Sequence, residues 1–220
     1  MSDDDGWASL PLFNWSPQIY RNRALAGFDR PHMFQFSAVY QLPFGKGMHY
    51  ASTGLLSRLA GGWQFNGIFS AYSGTPFNVT ASSASLNAPG NSQTADQVLP
   101  EVRELGGIGP NTPYYDPLAF RAVTTVRFGS TGRNILRGPH TTNLNASLFR
   151  RFRLTEGFNL EFRAESYNFT NTPHFTNPAA NVSNMRLNSD GSIASLGNFM
   201  SITSTQGDPR QFRLGLRLSF

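Results

Sequence analysis

The chain has 220 residues, enough for one domain or a slice of a larger one, and contains no cysteine, which excludes a disulfide framework and a thiolate metal site. Charged residues make up only 14 %, against 39 % hydrophobic and 13 % aromatic, and nineteen residues are Phe. That mixture suits neither a disordered polyelectrolyte nor a helical membrane protein, and it favours many strands joined by polar connections.

The net charge of +5 comes from arginine, since Lys46 is the single lysine. The arginines mostly alternate singly with apolar residues, so they read as a polar sheet face and not as a nucleic-acid footprint. No apolar run approaches the length of a transmembrane helix. Met1 is followed by Ser2-Asp3-Asp4-Asp5 and no apolar signal segment, so Met1 is expected to lie inside a longer protein. The four His (His32, His49, His140 and His174) are far apart and predict no metal site.

Period-two alternation marks the strands. The first is expected over about 32–42, with Phe34, Phe36, Ala38, Tyr40 and Leu42 opposite Met33, Gln35, Ser37, Val39 and Gln41, and it breaks at Pro43-Phe44-Gly45-Lys46-Gly47. Leu55, Leu56, Leu59 and Ala60 are spaced for one helical turn within residues 54–62. A second strand over 63–73 sets Trp63, Phe65, Gly67, Phe69 and Ala71 against Gln64, Asn66, Ile68, Ser70 and Tyr72. Residues 74–139 are rich in Asn, Ser, Gly and Pro with little periodicity, and predict a long structureless loop.

A third strand over 142–154 carries Leu144, Ala146, Leu148 and Phe152 opposite Asn143, Asn145, Ser147, Phe149, Arg151 and Arg153. Arg150 falls on its apolar face, where it must either snorkel to an interface or sit at a local bulge. The tight turn Thr155-Glu156-Gly157 leads into a fourth strand over 158–169, with Phe158, Leu160, Phe162 and Ala164 opposite Asn159, Glu161, Arg163 and Glu165. A second polar loop covers 171–207. The last strand, 210–220, alternates Phe212, Leu214, Leu216, Leu218 and Phe220 with Gln211, Arg213, Gly215, Arg217 and Ser219.

Segments of about ten to thirteen residues suit tilted strands that cross a bilayer, and exceed the usual soluble strand of about five or six. The expected class is therefore all-β, an antiparallel transmembrane β-barrel segment. Phe34, Phe36, Tyr40, Trp63, Phe65, Phe69, Leu148, Phe152, Leu160 and Phe162 would face lipid. Arg151, Arg153, Glu161, Arg163, Glu165, Arg213 and Arg217 would line the lumen. Tyr40, Phe44, Trp63, Phe152, Phe158 and Phe220, near segment ends, would form an interfacial girdle. Five strands are fewer than the roughly eight of the smallest bacterial barrels, so a fragment, or a chain needing further strands, is expected. With Phe220 taken to lie on the periplasmic side, the long stretches 74–139 and 171–207 fall outside, and the 155–157 turn and the longer 43–62 link fall inside. The rival reading is a soluble all-β binding module, lectin-like or an adhesin, whose half-buried strands alternate in the same way.

No catalytic, cofactor-binding or metal residue is predicted, and the chain does not read as an enzyme. Glu161 and Glu165 with Arg163 resemble a carboxylate pair for acid–base work, but an ion-pair lattice with Arg151, Arg153, Arg213 and Arg217 explains them better. Asp3-Asp4-Asp5 reads as a solvated loop, because no Ca²⁺-loop spacing follows. The Asn-x-Ser/Thr matches at Asn14, Asn78, Asn145, Asn168 and Asn181 are expected by chance in an Asn-rich chain. Asn87, Asn91, Tyr114 and Tyr115 are candidates to contact a carbohydrate or siderophore-like ligand.

The terminal alternation Phe212, Leu214, Leu216, Leu218, Phe220 resembles the signal read by the outer-membrane barrel-assembly machinery. Further stretches, in order along nearly the whole chain, resemble the C-terminal barrel region of Oar-like TonB-dependent receptors. They are Asp29-Arg30-Pro31-His32-Met33-Phe34, Leu42-Pro43-Phe44-Gly45-Lys46-Gly47, Gly61-Gly62-Trp63-Gln64 and Ser73-Gly74-Thr75-Pro76-Phe77. Gly132-Arg133-Asn134-Ile135-Leu136-Arg137-Gly138-Pro139, Phe162-Arg163-Ala164-Glu165, Asn168-Phe169-Thr170-Asn171-Thr172-Pro173-His174-Phe175 and Gly207-Asp208-Pro209-Arg210-Gln211 complete the set.

The resemblance implies a plugged outer-membrane barrel of about 22 strands that imports scarce nutrients with power delivered through TonB. Residues 1–220 would all belong to its C-terminal part, without the plug and without transport activity alone. The implied partners are outer-membrane lipid, the barrel-assembly machinery, the remaining barrel and plug, and TonB through the N-terminal part only. Nucleic acid is not among them.

Overall fold

The computed structural model describes residues 13–220; Asp3-Asp4-Asp5 and the start of the chain lie outside the described residues. Five long strands, β1 (Met33–Gln41), β2 (Trp63–Tyr72), β3 (Thr141–Thr155), β4 (Phe158–Tyr167) and β5 (Gln211–Ser219), form one antiparallel sheet in sequential order. β1 and β5 are its edges. One short helix, α1 (Gly54–Ala60), stands in the connection between β1 and β2. No helix among the described residues is long and apolar enough to cross a membrane, which says nothing of strands.

The register follows from the alternation. Residues directly opposite in an antiparallel pair share a face, so a slip of one residue would mix apolar and polar positions. Tyr40, Phe65, Leu148, Ala164 and Leu214 accordingly form one continuous row across all five strands. Ser37, Ile68, Asn145 and, on the other side, Gln64 and Phe149 occupy the opposite face. β4 stops at Tyr167, short of the expected Phe169, because Asn168 takes a left-handed φ of 49°. Its side chain then closes the turn: Nδ2 donates to the Thr172 carbonyl at 3.0 Å, and Oδ1 accepts from the Thr172 amide at 2.9 Å.

A two-residue turn, Glu156-Gly157, joins β3 to β4, and Gly157 supplies its positive φ of 95°. The ladder is irregular between Arg153 and Thr155, whereas Arg150 pairs regularly with Phe162 and Trp63. The bulge thus lies beyond Arg150, and does not explain that residue.

Residues 74–139 are not the structureless loop that composition predicts. Residues 13–31, 73–140 and 175–205 form a compact unit distinct from the one that holds the sheet. It has its own buried cluster, including Phe77, Val79, Phe120, Phe199, Met200 and Ile202. The segment around Thr80 is bonded on both sides: Ala81 and Ala95 exchange with Gln93 and Val79, while Thr80 exchanges with Ala180 and Val182. Strand pairs of two or three residues, short 3-10 segments and isolated bridges supply further ordered backbone. Gln93, fully buried, donates to Arg127 O at 2.8 Å and accepts from the Gly129 amide at 3.1 Å, so burial leaves its amide satisfied. Gly74 lies so close to the Gly138 carbonyl that an added Cβ would sit 1.8 Å from its oxygen.

Phe120 is fully buried and meets Phe199 edge to face at 6.2 Å. Phe120→Ala is expected to destabilise this unit by about 3–5 kcal/mol. Hydrogen exchange should then show amides of residues 79–81 and 93–95 losing protection while those of β4 keep theirs. Unchanged protection at residues 79–81 would contradict a shared core.

Candidate functional site: a sheet with two unlike faces

The cross-strand register places every sequence-assigned face residue. Phe34, Phe36, Tyr40, Trp63, Phe65, Phe69, Leu148, Phe152, Leu160 and Phe162 share one face with Phe212, Leu214, Leu216 and Leu218. Many of these side chains are exposed in the described chain, among them Phe34, Phe36, Tyr40, Leu214 and Leu216. A contiguous apolar surface of this kind marks contact with lipid or with another molecule. Aromatic pairs gather toward the β3–β4 turn, with Trp63 against Phe162 at 5.8 Å and Phe158 against Phe220 at 6.1 Å. Phe220 itself lies one residue past the end of β5.

Arg150 is the exception on that face, and the structure accounts for it differently from either expectation. It neither snorkels nor occupies a bulge; it is buried, at 8 % exposure. Its guanidinium donates to the main-chain oxygens of Arg58 and Leu59, in the last turn of α1. Those carbonyls have no partner within the helix and carry the negative end of its dipole. The same guanidinium stands 4.2 Å from the centroid of the Phe152 ring and 5.4 Å from that of Trp63. The Trp63 indole N–H also donates to Leu59 O at 3.3 Å.

The opposite face is polar and cationic. Arg151, Arg153, Arg163, Arg213 and Arg217 share it with Glu161 and Glu165, giving five positive against two negative charges, or +3. Arg151 reaches Glu161 Oε2 at 3.0 Å, and Arg163 Nε donates to Glu161 Oε1, so both carboxylate oxygens are taken by arginines. Glu165 stands opposite Arg213, and Glu161 opposite Arg217. Two aromatic residues on this face are covered by arginine: Arg163 lies 5.3 Å from the Phe149 ring centroid and Arg213 4.9 Å from that of Tyr167. A recess of about 440 Å³ lies among Gln64, Asn66, Phe149, Arg151, Glu161 and Arg163. A second, of about 250 Å³, has amide, Tyr167, His174 and Asp208 walls. Among the described residues no three His, Asp or Glu side chains assemble as a metal-ligating group.

In the other unit, Tyr114 and Tyr115 are core residues and not an exposed ligand platform, which corrects their assignment. They pack edge to face at 5.2 Å, and the Tyr115 hydroxyl donates to Arg137 O at 2.7 Å. Burial raises both phenol pKa values, with a hydrogen bond to Glu104 adding to the effect at Tyr114. Asn91 accepts from the Asn14 amide at 2.6 Å, whereas Asn87 is an exposed turn residue with φ 47°. Two ion pairs, invisible in the sequence because their partners are remote, brace this unit: Arg127 grips both oxygens of Asp96 at 2.8 and 2.6 Å, and Arg137 holds Asp29. The hydrogen bonds from Arg127 hold the Asp96 carboxyl below its ordinary pKa.

A family model described as an outer membrane beta barrel domain matches residues 2–213. No curated protein and no solved structure matches the chain.

Replacing Arg150 with Met keeps the length of the side chain but removes its donors. The expected result is a loss of about 1.5–3 kcal/mol, the range for hydrogen bonds to a charged group. It should read out as faster amide exchange and new protease cleavage within residues 43–62, with β3 exchange unchanged. An unaltered α1 would contradict the assigned cap.

Proposed function

The chain belongs to the outer membrane beta barrel domain family, and from that premise we propose that it serves a TonB-dependent nutrient receptor of the Oar-like kind. The five strands are barrel wall in the outer membrane. In this reading their apolar face meets lipid, their Arg- and Glu-bearing face lines the lumen, and Phe220 lies on the periplasmic side. The role is binding and import, not catalysis. Residues 74–139 and 171–207 contribute to the outer surface that meets a carbohydrate or siderophore-like ligand.

The observation that carries the receptor reading is where its signature stretches fall. Asp29 and Arg137, from two of them, form an ion pair, and Gly74 from a third lies against Gly138 beside Arg137. Gly45 and Gly61, from two others, are in backbone contact. Asn168 and Asp208, again from two, share a hydrogen bond of 3.5 Å. Motifs remote in sequence therefore act as paired tie points of one architecture. A motif set that resembles a family in order and also meets in space supports membership more strongly than any single stretch.

The natural gene product, expressed in a Gram-negative host, should appear in the outer membrane with a heat-dependent gel shift. It should also be captured by the periplasmic domain of TonB. Deleting Phe220 should abolish the shift and most of the outer-membrane recovery, as loss of an assembly signal requires. Full recovery without Phe220 would contradict the signal, and a product that TonB does not capture would contradict the receptor reading.

A further inference from the structure

Antiparallel neighbours in a sheet can be joined by a turn of about two to five residues. The connection from β1 to β2 instead spends residues 42–62 on a folded structure. Gly45 and Gly61 touch through their backbones: a Cβ on Gly61 would lie 2.8 Å from Gly45 Cα and 2.6 Å from Ser57 O. Phe44 and Tyr50 pair at 5.9 Å, and Phe44 and Tyr50 also form a backbone bridge. So built a link calls for a reason beyond closing the chain.

Its position supplies one. Arg150 belongs to the apolar face and binds the carbonyl end of α1, as does the Trp63 indole, so the helix terminus is fastened on the apolar side of the sheet. Leu55 and Leu59, one turn apart, share a face of α1 and are 76 % and 70 % exposed. Lys46 and Arg58 are exposed in the same connection, and no Asp or Glu occurs between Asp29 and Asp96. Exposed leucines beside uncompensated cations, continuous with an apolar wall, are the features of a segment that lies in a membrane interface.

We propose that this connection is an interfacial anchor. α1 rests in the headgroup zone of the adjoining leaflet, with Leu55 and Leu59 entering the upper acyl region and Lys46 and Arg58 contacting anionic phospholipid headgroups. Arg150 then does two things at once, satisfying the helix end and pinning it to the wall. The proposal rests on the reading of the apolar face as the lipid side.

The absence of native cysteine makes a direct test clean. Full-length chains carrying Leu59→Cys or Phe36→Cys are labelled with a polarity-sensitive fluorophore and folded into vesicles of phosphatidylethanolamine and phosphatidylglycerol. At position 59 the expected result is blue-shifted emission, quenching by lipids with a nitroxide near the headgroup, and loss of quenching by iodide. Phe36→Cys should respond to nitroxides deep in the acyl chain. Lys46→Gln with Arg58→Gln, or exchange of phosphatidylglycerol for phosphatidylcholine, should weaken the quenching at 59 and leave that at 36 unchanged.

Lipid quenching at 36 with iodide quenching at 59 would overturn the anchor alone. Iodide quenching at both positions would overturn the lipid-side reading with it. Shielding from iodide at 59 without lipid quenching would mean that a protein surface covers α1, and a signal at 59 indifferent to charge would overturn the headgroup contact.

Discussion

Inside hydrocarbon no water is present to satisfy a backbone N–H or C=O, so a spanning strand must pair every such group across the sheet. The rest of the sheet unit follows from that constraint. Pairing forces β1 to β5 into continuous ladders, and the period of two then turns register into chemistry. Tyr40, Phe65, Leu148 and Leu214 cannot leave the apolar face without bringing Arg151, Glu161 and Arg217 onto it. The same rule explains Arg150, a cation tolerated on the wrong face because it satisfies two helix-end carbonyls, that of Arg58 and, together with the Trp63 indole, that of Leu59.

The second unit solves the problem differently. Among its described residues it has no long ladder, so its backbone is satisfied by short exchanges around Thr80, by asparagines in left-handed turns, and by buried side chains such as Gln93. Tyr114 and Tyr115 are consumed by its own core, which shifts the search for ligand contacts to exposed residues of the same segments. The stretches that carry the proposed receptor reading mostly tie the chain to itself. They are expected to define architecture, and ligand choice would fall to the residues between them.

Much of the sheet was legible in the sequence because one physical rule, alternation, determines both pairing and face. From Phe212 to Ser219 the strand and its two faces are legible from letters alone, whereas its partner, the strand Phe158–Tyr167, comes from the fold. The ordered fold of residues 74–139 could not. Its core draws on Phe77, Phe120 and, from far along the chain, Phe199 and Ile202, at spacings that match neither strand nor helix. The arginine cap was equally hidden, since Arg150 and Leu59 are 91 positions apart. A cation on an apolar strand face did flag the position, but its partner needed the fold. The left-handed turn at Asn168 is hidden in the sequence because the flanking Tyr167 and Phe169 continue the strand pattern by composition.

The central claim is that one face of the sheet meets lipid and the other meets water. A nitroxide scanned residue by residue from Asn159 to Ser166 on β4, in membranes containing the natural gene product, tests it most directly. The account predicts collision rates with oxygen that peak at Leu160, Phe162 and Ala164, and rates with a water-soluble nickel chelate that peak at Asn159, Glu161, Arg163 and Glu165. A profile with no period of two, or one with the two reagents exchanged, would contradict it.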